Sequence, residues 1–227
     1  MPLDTERIKA ICFDVDGTLS DTDDLVVHRL YSLLRPLYAS QLMSQYAVHG
    51  FSRWLVMEME TPGNLAYAAV DRTRFDDAVL HPLQQRIRKT DKAPAPFWLI
   101  EGVAELLPML AARYPLAVVT ARDEAGTLAF LEQFSLRGLF GAVATARTCQ
   151  YTKPFPDPVL WAAAELGVAP EHCLMVGDTT VDIRAGKAAG AQTVGVLCGF
   201  GREKELLRAG ADLILPTTAD LAEFLSN

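Results

Sequence analysis

The chain of 227 residues has only four cysteines, Cys12, Cys149, Cys173 and Cys198, and no two stand in a CxxC spacing. A disulfide framework and a zinc–thiolate site are therefore not expected, and buried thiols in a reducing compartment are. The four histidines, His28, His49, His81 and His172, are dispersed, so no imidazole cluster competes for zinc. Positive charge is also in short supply. Lys and Arg number 21 against 28 Asp and Glu, the net charge is -7, and no basic block or stripe occurs. Nucleic acid is thus not an expected partner. The same negative field mildly repels phosphorylated ligands, so an anion site has to be local: a cation, a lysine, or backbone N–H groups. No apolar run approaches ~18 residues, and the opening MPLDTERIKA has no hydrophobic targeting core. The expectation is a soluble cytoplasmic protein without a membrane partner.

What the chain does have is apolar content, 50% of its residues, enough for one large domain or a core domain with a smaller insert. Short apolar runs at 8–15, 116–120, 142–145, 173–176 and 193–197 read as parallel strands buried on both faces, with a further edge strand at 211–215. Helical patterns at 102–112, 124–134, 158–166, 181–189 and 220–225 fall between or after them. Alternation of this kind predicts an α/β fold with a doubly wound, mainly parallel, Rossmann-like sheet. Pro108 inside a helical pattern predicts a kink or break.

About a hundred residues separate the first strand from the second, far more than an ordinary crossover. Residues 21–91 carry helical patterning, including Leu25, Leu30, Leu33, Leu34 and Leu37, and no comparable strand signal. The proline-punctuated stretch 91–96 reads as a stiff return linker. The predicted organisation is an α/β core of 1–20 and 92–227 with a helical domain, 21–91, inserted after the first strand.

The chemistry concentrates at the strand tips. ICFDVDGTLSDT places Asp14 and Asp16 one residue apart, just before Gly17 and Thr18. Two like charges held in one loop are costly unless a cation or a shared proton relieves them. Thr120 ends AVVTAR, Lys153 lies in YTKPFPDP, and Asp178 and Asp182 lie in VGDTTVDIRAGKAAG. Loops at the carboxyl ends of such strands converge on one edge of the sheet. Carboxylates around a hard cation suggest Mg²⁺. A carboxylate nucleophile attacks phosphorus, and a second carboxylate protonates the leaving alkoxide and then deprotonates water. Thr120 is expected to donate its hydroxyl to a phosphoryl oxygen, Lys153 to neutralise charge, and Asp182 to position Lys153 or a metal-bound water. Gly17 and Thr18 are candidates for a phosphate loop, with Gly17 equally readable as a turn glycine. The run Gly199, Phe200, Gly201, Arg202 is either a border of the site or only a loop.

DVDGT, the threonine of VVTAR, the lysine of TKPFPDP, and GDTTVD resemble, in order, the four motifs of the haloacid-dehalogenase-like hydrolase superfamily, most of all its phosphoglycolate-phosphatase-like branch with a helical cap. The resemblance covers nearly all of the core, whereas the insert matches in position and helical character only. It implies that Asp14 is the nucleophile and Asp16 the general acid/base. Magnesium is then held by the Asp14 carboxylate, the backbone carbonyl of Asp16, and Asp178, with Asp182 further out. The implied reaction is hydrolysis of a small phosphorylated metabolite through an aspartyl-phosphate.

Rival activities on this fold make different demands. A haloacid dehalogenase needs neither Asp16 nor Mg²⁺. A phosphonoacetaldehyde hydrolase needs a Schiff-base lysine, and Lys89 and Lys92 have no apolar setting to activate them. A sugar-phosphate mutase of the beta-phosphoglucomutase type is similar in chemistry but typically has Glu-Asp where this chain has Gly177–Asp178. A non-catalytic binding protein is the alternative from another class. In the insert, His28, Tyr31, His49, Arg53 and Trp54 are candidate substrate contacts, Asp21 an acid near the hinge, and Met43, Met57 and Met59 core filler. Neither the phosphomonoester nor the oligomeric state can be read from the sequence.

Overall fold

The computed structural model describes residues 3–21 and 97–225. The chain divides into two compact units, Met1–Asp23 with Phe97–Asn227, and Asp24–Pro96. The expected helical insert, its candidate contacts and the linker 91–96 lie outside the described residues, apart from Asp21.

The described part is a six-stranded sheet: β1 (Ala10–Phe13), β2 (Leu116–Val119), β3 (Phe140–Ala144), β4 (Cys173–Gly177), β5 (Gln192–Val196) and β6 (Leu213–Leu215). The spatial order is β3-β2-β1-β4-β5-β6, and every pairing is parallel. The helices are α1 (Val103–Ala111), α2 (Glu124–Gln133), α3 (Asp157–Glu165), α4 (Thr180–Ala189), α5 (Glu203–Ala209) and α6 (Leu221–Leu225). The expected mainly parallel α/β core is what the chain adopts. The order of strands reverses between β1 and β4, the topological switch point at which such sheets open a crevice.

The two faces of the sheet are packed differently because side chains alternate along each strand. Ile11, Phe13, Leu116, Val118, Leu174, Val176, Val194 and Val196 point to one face and meet Leu106, Leu107 and Leu110 of α1 and Phe130 and Leu131 of α2. Ala10, Cys12, Ala117, Val119, Ala142, Ala144, Cys173 and Met175 point to the other, against Val159, Ala162 and Ala163 of α3 and Ala185 of α4. The second face is built from small residues, so its helices approach closely. A Cβ on Gly186 in α4 would lie 2.6 Å from Thr193 Cγ2 and 2.9 Å from Met175 Cβ. All four cysteines are free thiols. Cys12 and Cys173 are buried and the other two half-buried.

The break expected at Pro108 does not occur. α1 runs unbroken through Pro108. Pro108 removes only the bond to the carbonyl of Ala104, and both residues are exposed, so water can satisfy that carbonyl. Buried Leu106, Leu107 and Leu110 hold the opposite face in place. α5 is a short helix that no strong periodicity announces. Leu206 is its buried residue, and Leu207 is 53% exposed.

No helix among the described residues is long and apolar enough to cross a membrane.

Candidate active site

β1 and β4 are neighbours in register, with Phe13 opposite Val176. The Asp14 N–H continues the ladder to the Val176 carbonyl at 3.0 Å. The residues that follow the two strands, Asp14 and Asp178, therefore leave the sheet side by side. One carboxylate oxygen from each of Asp14, Asp178 and Asp182 falls within 4.8 Å of the others, and all three residues are buried.

Lys153, from the loop after β3, sits between two of these acids. Its Nζ lies 2.8 Å from Oδ1 of Asp14 and 2.6 Å from Oδ1 of Asp182. The contact to Asp182 is a hydrogen bond, whereas Oδ1 of Asp14 is ion-paired without a well-directed one. The other oxygen of Asp182 accepts from the Thr179 N–H at 3.0 Å and from the Thr179 hydroxyl at 2.6 Å, closing the N-terminus of α4. Both Asp182 oxygens are thus held by protein donors. A Cβ on Gly177 would lie 2.3 Å from Asp182 Cβ, so only glycine leaves room for this carboxylate.

Asp178 is held by a different loop. Its Oδ2 accepts from the Phe200 N–H at 2.8 Å, and the Thr18 hydroxyl reaches Oδ1 at 3.5 Å. A Cβ on Gly199 would lie 2.2 Å from Oδ2, and one on Gly17 2.3 Å from the same atom. Gly17 also has a φ of +72°, where any other side chain is strained. The Gly199–Phe200 segment therefore borders the site, and both glycines are needed for close approach to Asp178.

The phosphate-loop expectation for Gly17 and Thr18 fits this geometry poorly. The Gly17 N–H is bonded to the Ser20 carbonyl at 2.9 Å and the Thr18 N–H to the Val15 carbonyl at 3.3 Å. Both donors are spent inside the turn. The Thr18 carbonyl in turn accepts from the Thr218 hydroxyl at 2.5 Å.

Asp16 does not join the three buried acids. Its carboxylate is gripped by Arg122, with Nε 3.1 Å from Oδ2 and Nη2 in close contact with Oδ1. The pair of acids in DVD is thus relieved by two separate cations, Lys153 and Arg122, rather than converging on one point. Nothing in the sequence alone ties Arg122 to Asp16. The available signal was that it is the only cation in the loop between Thr120 and α2. Thr120 is buried at the tip of β2, and its hydroxyl oxygen accepts from the Arg122 N–H at 3.1 Å. The hydroxyl hydrogen is then available to donate.

Burial pushes the Asp14 carboxyl up to about 7; Lys153 works against the rise, and Asp182 and Asp16 add to it. Burial alone would pull Lys153 down, but Asp14 and Asp182 outweigh it and hold the ammonium above its ordinary range. A buried carboxylate disfavoured in its charged form, next to a second one and with only oxygen donors at hand, fits a hard divalent cation. Asp14 and Asp178 leave the ends of β1 and β4 side by side, while Asp182 is tied to Lys153 and Thr179.

The comparisons agree with this architecture. Residues 11–196 match the family model described as haloacid dehalogenase-like hydrolase. The chain is 30% identical over 237 aligned positions to a phosphoglycolate phosphatase of Shigella boydii, covering 95% of this chain and 92% of that one. It is 28% identical to the pyrophosphatase PpaX of Bacillus pumilus, covering 96% and 97% of the two chains. Among solved structures it resembles a family hydrolase from Deinococcus radiodurans with bound phosphate and sodium, at a TM-score of 0.64 and 24% identity over 97% of this chain and 96% of that one.

Proposed function

The chain belongs to the haloacid dehalogenase-like hydrolases, and we propose that within them it is a Mg²⁺-dependent phosphatase that hydrolyses a small phosphomonoester through a phosphorylated Asp14. The observation that carries this reading is the buried run of Asp14, Lys153 and Asp182 beside Asp178. A structural salt-bridge network has no use for a third acid left among two others, whereas a metal-assisted phosphoryl transfer does.

The Asp14 and Asp178 carboxylates, with the main-chain carbonyl of Asp16, would hold Mg²⁺. When bound, the ion would draw charge from the phosphoryl oxygens and lower the repulsion between an anionic nucleophile and an anionic substrate. The protein's own groups do the rest. An oxygen of Asp14 attacks phosphorus in line, and the bond to the leaving oxygen breaks. Asp16, entering this step protonated and with one Arg122 contact released, gives that oxygen its proton and becomes the carboxylate as the alcohol departs. Water then attacks phosphorus while Asp16 takes its proton. The Asp14–phosphorus bond breaks, its electron pair returns to the carboxylate, and phosphate is released. Lys153 spreads positive charge over Asp14 and the phosphoryl group, Asp182 keeps its ammonium in place, and the Thr120 hydroxyl donates to a phosphoryl oxygen. The organisation proposed with this reading is a core of 1–20 and 92–227 and a substrate-selecting insert, 21–91.

Position 177 argues against the mutase alternative. The Glu of a Glu-Asp pair would need its Cβ where Asp182 already lies. The named relatives include a phosphoglycolate phosphatase and a pyrophosphatase, so small anionic phosphomonoesters are the substrates to try first, with pyrophosphate beside them. The test is phosphate release from a panel of phosphorylated metabolites with Mg²⁺ and with a chelator. Magnesium-dependent release with free alcohol as co-product is the expected result. Release of an isomerised sugar phosphate in place of free phosphate would favour the mutase, and no turnover across the panel would favour the binding protein.

A further inference from the structure

We propose that Arg122 is a positioning residue for Asp16, aiming its carboxylate through a two-point grip during hydrolysis of the phosphorylated enzyme; this rests on the hydrolase reading above. The Asp16 carboxylate can rotate about two side-chain bonds, and a single contact leaves one rotation free. Arg122 places Nε against Oδ2 and Nη2 against Oδ1, which fixes both. The side chain of Asp16 is 32% exposed and that of Arg122 13%, so the arginine is the better anchored of the two.

The anchor is itself built. The Arg122 guanidinium lies over the ring of Phe97, 5.0 Å from its centroid. Phe97 is fixed in turn by α2. The Gln133 side chain donates to the Phe97 carbonyl at 2.9 Å and accepts from its N–H at 3.4 Å, and the Phe130 ring meets Phe97 edge-on at 5.8 Å. At the other end, the Arg122 N–H is bonded to the Thr120 hydroxyl. Thr120, Arg122 and Asp16 therefore form one chain from the tip of β2 to the tip of β1. The residue that meets the phosphoryl group and the residue that meets the water share one support.

Lysine cannot replace this arrangement. An ammonium is a point charge and does not present two parallel donors to two oxygens. Aim, not charge alone, is what Arg122 supplies.

The experiment uses the full-length protein with Mg²⁺ and p-nitrophenyl phosphate in a rapid-mixing instrument. Nitrophenolate leaves without a proton, so formation of phosphorylated Asp14 is spared a defect in Asp16, whereas its hydrolysis is not. Arg122→Met, which keeps a stem over Phe97, should release about one nitrophenolate per folded enzyme in a burst and then turn over about 10²-fold more slowly than wild type, with KM falling alongside kcat and kcat/KM little changed. Arg122→Lys should show the same burst and most of the same loss. Phe97→Leu, which removes the support but not the grip, should show a smaller loss of the same kind. The proposal is overturned by a burst that falls in parallel with turnover, by a raised KM at unchanged kcat, or by full recovery in Arg122→Lys. Asp14→Asn is the control. A burst surviving in it would defeat the hydrolase reading itself, whatever Arg122 does.

Discussion

The ammonium of Lys153 lies 2.6 Å from Oδ1 of Asp182, with both groups buried. This contact joins the loop after β3 to the first turn of α4. Replacing Asp182 by asparagine would turn an amide N–H₂ toward either Lys153 or the Thr179 N–H, leaving buried donors facing each other. The expected cost is about 1–3 kcal/mol of stability, measured by urea unfolding. Turnover should also fall, because Lys153 is left with Asp14 as its only remaining partner among these acids. Unchanged stability would contradict the arrangement.

Asp14 supplies a pH signature. Its folded value of about 7 lies above the ordinary carboxyl value of about 4. A group raised in the folded state contributes stability that is fully present below the unfolded value and lost as pH rises through the folded one. Metal-free wild type should therefore lose stability between about pH 4 and 7, and Asp14→Asn should not. The difference in Tm, variant minus wild type, should grow over that window in the presence of a chelator. A flat difference would count against a desolvated Asp14.

Gly199→Ala tests the cradle of Asp178. A Cβ 2.2 Å from Oδ2 cannot be accommodated without moving that carboxylate. The concentration of Mg²⁺ giving half-maximal activity should rise about tenfold or more, a loss of ~1.4 kcal/mol in binding, and Asp178→Asn should raise it further. An unaltered Mg²⁺ titration in either variant would remove Asp178 from the metal site.

Asp212 is a structural acid away from this chemistry. Lys187 reaches its two oxygens at 2.5 and 2.6 Å, and the Thr193 N–H donates to Oδ2 at 2.9 Å. Burial works to raise its carboxyl, but the Lys187 and Thr193 bonds bring it below the ordinary value. Its contribution is therefore present above the unfolded value and lost as pH falls through the folded one. Asp212→Asn should destabilise by about 1–3 kcal/mol at neutral pH, with the gap to wild type closing in acid. Thermal melts across that range give the comparison.

The sheet and the buried acids were legible because their signals are local. Strands buried on both faces read as continuous apolar runs, and a polar residue that ends such a run is delivered to one edge of the sheet. Asp14, Thr120 and Asp178 were placed in that way. What stayed hidden depends on contacts between distant segments. Arg122 looks like any loop arginine until β2 brings it against Asp16. Gly17 and Gly199 could be read as turn glycines, since nothing in their neighbourhoods says that both pack on Asp178. Pro108 leaves α1 continuous because the carbonyl that loses its partner belongs to Ala104, an exposed residue. α5 is not legible because a seven-residue helix with one buried leucine has no amphipathic stripe to show.

The most direct measurement is to quench the Asp16→Asn enzyme after mixing with Mg²⁺ and an aryl phosphate, digest it, and find the phosphoryl group by mass spectrometry. A covalent aspartyl-phosphate on the peptide that carries Asp14, absent without Mg²⁺ and absent in the Asp14→Asn, Asp16→Asn double variant, is the predicted result. Aryl phosphate cleavage that leaves Asp14 unmodified, or places the phosphoryl group on another side chain, would contradict it.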